Sequence, residues 1–354
     1  MSAKKKTDRK LAVALCVLAV GAMLLAGYYY ETFRKSNVRI DDSLENAGET
    51  AVLKIYHDYD FEDLCNAVDS CESIVNKRSF FRAARSMKLT GGFKAGYYRL
   101  KEGMNNKAIV RMIANGWQTP VSISFAGYIR TLDRFAKILS EKLEADSASF
   151  AAVLTDPAVM AGYGFEQESF IGMFIPNTYE VYWTISPEKF VDRMNKEYKA
   201  FWNGERSAKA AETGLSPKEV STLASIVISE TKHVPEMPRI AGVYMNRLHK
   251  GMLLQADPTV VYACNQAGIT RVLNKHLKVD SPYNTYIHKG LPPGPITMSP
   301  VVALDAVLNY EHNNYLYFCA RETFDGQHNF SSTLSGHMAN ARAYHKALNA
   351  RSKK

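Results

Sequence analysis

Nothing in this sequence is arranged to hold a metal. Its five cysteines and nine histidines include no cysteine pair at zinc-ligand spacing and no H-E-x-x-H run, so neither a metal nor any other cofactor is expected. A basic body is missing as well. The formal charge is +9, but Lys4, Lys5, Lys6, Arg9 and Lys10 outweigh Asp8 by four charges, and Arg351, Lys353 and Lys354 add three, which leaves about +2 elsewhere. Nucleic acid is therefore not an expected partner. The composition of a disordered chain is also absent: 46% of the 354 residues are hydrophobic, enough for a large core divided over two or three domains.

What is present begins with "LAVALCVLAVGAMLLAGYYY", residues 11–30, which holds no charge over about the 20 positions a helix needs to cross a bilayer. A cleaved signal peptide competes with this reading, but its apolar core is shorter and no A-x-A site comes after it. Leu15 before Cys16 is not the small residue that a lipid-attachment site would want. The flanking Lys and Arg place residues 1–10 in the cytoplasm, and Tyr28, Tyr29 and Tyr30 belong at the outer interface. Everything after residue 30 is then extracytoplasmic. In that compartment Cys65 and Cys71 are close enough in sequence to bridge if a helix ends between them, while Cys264 and Cys319 read as buried thiols.

Residues 31–50, polar from Ser36 onward, read as a linker. Strand, turn and helix patterns then alternate. "VLKIYHDY" alternates like a strand, "FEDLCNAV" and "KRSFFRAARSM" are helical, "GYYRL" is a strand, and "NKAIVRMIANG" is a helix that stops at Gly116. "VSISFAG" is the next strand, with Thr131 as N-cap of "LDRFAKILSEKL". Such units suit either a small module that holds sugars or a plain packing domain. Residues 147–205 look largely helical, interrupted at "FIPNTYEVYW", where Tyr179, Tyr182 and Trp183 either stack on sugar rings or fill a core. The expected class is α+β: a cytoplasmic tail (1–10), a transmembrane helix (11–30), the linker (31–50), a small α+β module (51–125), a mostly helical connecting region (126–205) and a mixed α+β catalytic domain (206–347).

The stretch that carries chemistry is "ASIVISETKH", 224–233. Ser216 as N-cap, Pro217 at the first position and Glu219 completing a capping box predict a helix start. Leu223, Ile226, Val227 and Glu230, spaced by three and four, then share one face. A carboxylate in line with a core stripe must take up a proton, find a cation or line a cleft. The plain alternative is a buried salt bridge to Arg239 or Arg247. A raised pKa is what a general acid needs. Downstream, Gln255 and Asp257 precede Pro258 in an extended turn, and "SPYNTY" with "GLPPGPI" offers hydroxyl, amide and aromatic groups suited to a carbohydrate.

Together "LASIVISET", "VYMNRLHKGMLLQADPTV", "SPYNTYIHKGLPPGPI" and "YLYFCARETFDGQHNF" resemble the endolytic murein transglycosylases of the MltG (YceG-like) family, over residues 52–347. The resemblance implies a LysM-like module at 52–125 and cleavage of peptidoglycan glycan strands beside the cytoplasmic (inner) membrane. It also implies a periplasmic catalytic domain, 1,6-anhydro-MurNAc ends, and Glu230 as the catalytic residue. Peptidoglycan synthases become expected neighbours, none of them identified. Many members carry a second glutamate two positions before the catalytic one. Ile228 stands there, which leaves Glu230 alone in its block. Ile171 and Asn177 stand where the family more often has acids.

One carboxylate suffices if the muramic acid C6 hydroxyl attacks its own C1, whereas a hydrolase needs a second. On this reading Glu230 acts as acid and then base. Gln255, Tyr283, Asn284, Thr285 and Tyr286 hold sugars, Asp257 orients Glu230 or a loop or merely stabilises its turn, and His328 is a weaker candidate. The alternatives are a hydrolytic muramidase using Asp257, and a non-enzymatic peptidoglycan-binding anchor.

Overall fold

The computed structural model describes residues 2–40, 51–265, 269 and 272–351. The first helix, α1 (Ser2–Tyr29), continues through a π turn at Tyr30–Arg34. Within Asp8–Arg34 an 18-residue stretch has a mean hydropathy of 2.4, and the helix is long and apolar enough to cross a membrane. The linker expected over 31–50 is not free at its start. Asn37 is buried and donates to Asn106 Oδ1 at 2.6 Å, while Ser36 and Val38 bridge to Asn105 and Ile74. Residues 41–50 lie outside the described residues.

Two compact units divide the chain. One comprises Met1–Ser122, Lys142–Glu144 and Glu180–Ile185, and the other Ile123–Glu141, Ala145–Tyr179 and Ser186–Lys354. The region expected as a connector, 126–205, is thus shared between them, most of it in the second unit.

In the first unit β1 (Val52–Ile55) leads to α2 (Phe61–Ser70) and α3 (Lys77–Ser86), then to β2 (Gly96–Arg99) and α4 (Asn106–Asn115). The starts of these helices are written locally: Asp60 and Asp63 form a capping box, and Asn76 and Asn105 accept from the first-turn amides. Gly116 ends α4 at φ +69°, where a side chain would be strained. The two strands pair antiparallel with Val52 opposite Arg99. Leu53, Ile55, Leu64, Val68, Phe80, Tyr98 and Ile109 make the core. No disulfide joins Cys65 and Cys71. The helix reaches Ser70, so six residues of helical rise separate the two by about 9 Å, beyond the ~7 Å that a disulfide spans.

Beyond it the chain forms β3 (Val121–Ser124), α5 (Leu132–Ser140), α6 (Ser147–Leu154), α7 (Pro157–Gly162), β4 (Thr178–Val181), which pairs with β3, and α8 (Pro187–Phe201). Thr131 caps α5 as predicted. Phe125, Phe135, Phe150, Phe170, Phe174 and Phe190 pack together in the second unit, edge to face except for the tilted pair Phe135–Phe174. Tyr179 and Trp183 are buried, so of the three aromatics in "TYEVYW" only Tyr182 is exposed. Ile171 is buried in a 3-10 turn, and Asn177 Oδ1 accepts from the Thr178 amide.

The remaining elements build the site: α9 (Glu205–Thr213), α10 (Pro217–Glu230), α11 (Met237–His249), α12 (Asp257–Ala263), α13 (Val301–Leu308), the hairpin β5 (Tyr317–Ala320) and β6 (His328–Ser331), and α14 (Leu334–Arg351). Helix α10 is central. Val220, Leu223, Ala224, Ile226 and Val227 are buried against Ile240, Ala241 and Tyr244 of α11 and Ala303, Leu304 and Val307 of α13. Each large side chain here contributes about 1.5–3 kcal/mol by leaving water. Gly242 lets α11 pass close to the backbone: an added Cβ would overlap the Glu311 carbonyl. The chain is thus of the α+β class, helix-rich with small sheets.

Candidate active site

Ser216 and Glu219 form the predicted capping box and Pro217 opens α10. The fourteen-residue helix ends on Glu230, with Thr231 as C-cap. The buried stripe therefore delivers Glu230 to the helix's exit, at the negative end of its dipole, where a carboxylate is disfavoured as an anion. The α11 helix sets Tyr244, 1% exposed, alongside. Its hydroxyl donates to Glu230 Oε1 at 2.7 Å, and Phe318 packs edge-on against its ring with centroids 5.8 Å apart.

Neither arginine weighed as a salt-bridge partner takes that role. Arg239 pairs with Glu311 at 2.8 Å. Arg247 donates to the carbonyls of Leu316 (2.7 Å) and Leu254 (2.8 Å). Burial pushes the Glu230 carboxyl up to about 7, and the charge of Asp257 adds to this. The Tyr244 hydrogen bond and Arg247 pull the other way. The carboxyl is therefore about half protonated at neutral pH, which suits a group that must both give and take a proton.

The cavity on which Glu230 opens has a volume of about 390 Å³, within the range of small-ligand sites. It gathers Gln255, Asp257, Tyr286 and His328 from the predicted set, together with Tyr244, Arg247, Tyr317, Phe318 and His337. Asp257 is not in an extended turn: it begins α12, and its Oδ1 accepts from Tyr286 Oη at 2.6 Å. Gln255 is exposed and held at φ +50°, a strained value for a side-chain-bearing residue, with its amide donating to Thr285 O at 3.0 Å. His328 is fixed by a buried acid, its Nδ1 lying 2.8 Å from Glu236 Oε2. Cys319, read as buried, is half-buried and lines the cavity, and Cys264 is half-buried as well.

Three predicted sugar-holding residues do not reach this cavity. Asn284 is fully buried: its Nδ2 donates to Leu277 O (3.0 Å) and Val279 O (2.8 Å), and its Oδ1 accepts from the Tyr286 amide (3.0 Å). Thr285, 1% exposed, accepts from the Ala256 amide and shares a hydrogen bond with Thr259. All their capacity goes into the loop, so they place Gln255 and Tyr286 and do not touch a substrate. Tyr283 packs against Tyr262 with ring centroids 4.6 Å apart and lines a different cavity.

The YceG-like family model matches residues 53–343. The chain belongs to the YceG-like family. An endolytic murein transglycosylase of Bacillus subtilis (strain 168) is 28% identical over 296 residues, covering 77% of this chain and 80% of that protein. The endolytic murein transglycosylase of Streptococcus pneumoniae serotype 2 is 27% identical over 288 residues, 70% of this chain, and the match spans half of that protein. Among solved structures, a YceG-like protein from Listeria monocytogenes superposes with a TM-score of 0.56 at 28% identity, over 81% of this chain and 97% of that one. Both Tyr244 and Arg247 lie inside the block "VYMNRLHKG", but sequence reasoning passed over Tyr244. Its position on the same helical face as the buried Ile240 and Ala241 was the available signal.

Proposed function

We propose that this YceG-like chain is a lytic transglycosylase that cleaves peptidoglycan glycan strands between MurNAc and GlcNAc and leaves 1,6-anhydro-MurNAc ends. The observation that carries the reading is Glu230: a carboxyl at the mouth of a sugar-sized cavity, raised to about 7 and hydrogen-bonded from a buried tyrosine, with no ion pair among the described residues to hold it as an anion. Protonated, Glu230 gives its proton to the glycosidic oxygen as the bond to C1 breaks. As a carboxylate it then takes the proton of the C6 hydroxyl while the oxygen of that hydroxyl closes on C1. No water is consumed, and Glu230 ends as it began. The nucleophile belongs to the same sugar ring, so its approach costs little entropy. Tyr244 orients the carboxyl. Asp257 raises its proton affinity while holding Tyr286, and the amide of Gln255 and the ring of Tyr286 remain at the cavity for sugar hydroxyls and faces.

Helix α1 serves in this reading as a single-pass anchor in the cytoplasmic membrane, with residues 1–10 inside and everything after the span outside. The first unit's cavity of about 840 Å³, lined by Tyr56, Tyr59, Phe93 and the backbone at Gly91 and Gly92, is suited to hold a neighbouring stretch of glycan. Cleavage then falls on nascent strands near the membrane, beside the synthases that make them, and ends their growth.

Digestion of purified strands, with product masses read for the parent and for Glu230→Gln, tests the reading. Ends lighter by one water than a hydrolase would leave, lost in the variant, are expected. The presence of Asp257 in the same cavity favours the muramidase as the second reading. Reducing ends in place of anhydro ends would establish it.

A further inference from the structure

A second cavity of the same unit, about 580 Å³, surrounds Arg130. The guanidinium lies between two rings, 5.4 Å from the centre of Tyr128 and 5.2 Å from that of Tyr262. Among the described residues its buried Nη2 has no hydrogen-bond partner and no carboxylate lies within ion-pair distance. Arginine stays charged at any pH of interest, and although the Arg130 residue is only half-buried, a buried N–H left unsatisfied on a cation is costly to keep. The acid that Tyr262 and Tyr283 sense is Glu168, which is exposed and unpaired with Arg130. Thr131, Ser281 and Asn265 complete a wall of hydroxyl and amide groups around the cation. Such a cavity is shaped to receive an oxyanion, whose oxygens match the guanidinium fork.

This cavity is coupled to the Glu230 cavity by three elements. The Tyr128 hydroxyl donates to Ser229 Oγ at 2.9 Å, one residue before Glu230. Helix α12 begins with Asp257 in the Glu230 cavity and reaches this one at Tyr262, five residues or about 8 Å along its axis. The loop that places Tyr286 in the first cavity places Tyr283 in the second.

We propose that the Arg130 cavity is a subsite for a carboxylate carried by the strand whose glycosidic bond sits at Glu230. The proposal rests on the peptidoglycan reading of the Glu230 cavity. There, carboxylates come from the peptide stem, and from the lactyl arm of muramic acid only where the stem, joined to it through an amide, has been removed. Sugars alone offer none, so a strand engaged here is read by its acid as well as by its rings.

The test uses the full chain in detergent micelles, with Glu230→Gln present throughout so that nothing is cleaved. Binding of fluorescent stem-bearing strands, amidase-stripped strands and chitin oligomers is measured by anisotropy with and without Arg130→Gln. Loss of one charge-assisted contact is expected to weaken stem-bearing strands about tenfold and leave chitin unchanged. Loss confined to stem-bearing strands assigns the stem carboxylate, and loss on stripped strands too shows that the lactyl carboxylate, free only once the stem is removed, fills the same place. Unchanged affinity for both peptidoglycan strands, or an equal loss on chitin, overturns the proposal. The melting temperature checks the fold of Arg130→Gln, and Arg130→Lys, which keeps the charge, should lose less. Because binding is read without cleavage, a parent chain that makes no anhydro ends refutes the transglycosylase reading and leaves the subsite standing on its own measurement.

Discussion

Glu230→Gln should make the protein more stable above neutral pH while abolishing cleavage. The carboxyl is raised from an ordinary 4.5 to about 7, so the folded chain binds its proton more tightly than the unfolded chain does. Below pH 4.5 both states are protonated and the residue is neutral to stability. As pH rises from 4.5 to 7 the unfolded chain ionises first, and the fold loses stability by about 1.4 kcal/mol per unit, or about 3 kcal/mol in all. Glutamine carries no proton to lose, and its side-chain oxygen still accepts from Tyr244. The variant should thus match the parent near pH 4 and exceed it by about 3 kcal/mol at pH 8. For a unit of this size that is roughly 6–12 °C in melting temperature. Thermal or urea melts of both proteins across pH 4–9 measure the difference directly. A parent and variant equally stable at pH 8 would show that Glu230 is not held against its charge, and would falsify the account of its acidity.

Three further outcomes rest on the same geometry. Tyr244→Phe removes the hydrogen bond that favours the anion, so the alkaline limb of kcat/KM should move above its position near 7 while kcat falls about tenfold through lost orientation; a limb that moves down contradicts the assignment. Asp257→Asn removes a charge that holds the proton on Glu230, so that limb should move to lower pH with anhydro products unchanged; a loss as deep as that of Glu230→Gln would mark Asp257 as a second catalytic carboxylate. Asn284→Ala strands the Leu277 and Val279 carbonyls and the Tyr286 amide, which should cost about 1–3 kcal/mol and lower kcat/KM through Gln255 and Tyr286; urea titration with kinetics on the same preparation checks both.

Local signals were the legible ones. The capping box at Ser216, the helix stop at Gly116 and the N-cap at Thr131 depend on neighbours in sequence, and each stands where its residues predict. The apolar stripe of α10 placed Glu230 on a core face by the same local logic. What a polar side chain does with its hydrogen bonds is decided by distant chain. Asn284 and Thr285 have the chemistry of sugar ligands, but the fold closes over them and spends them on its own backbone. Tyr244 was hidden for the converse reason: it reads as one more core aromatic, and only the crossing of α10 and α11 brings its hydroxyl to Glu230. Asp257 precedes a proline and so reads as a turn residue, but proline also opens helices, and here it does.

The end of α1 is fastened where a linker was expected. Thr32 is buried with its carbonyl accepting from Asn106, Arg82 lies over the Tyr28 ring, and Val38 bridges to Ile74. A bilayer that holds α1 would therefore hold the first unit's glycan-sized cavity at a fixed height, as a mast holds a lamp. Strands would be sorted by their altitude above the lipid before any sugar is recognised, and loosening the Tyr28 and Thr32 contacts would widen the layer of the wall within reach.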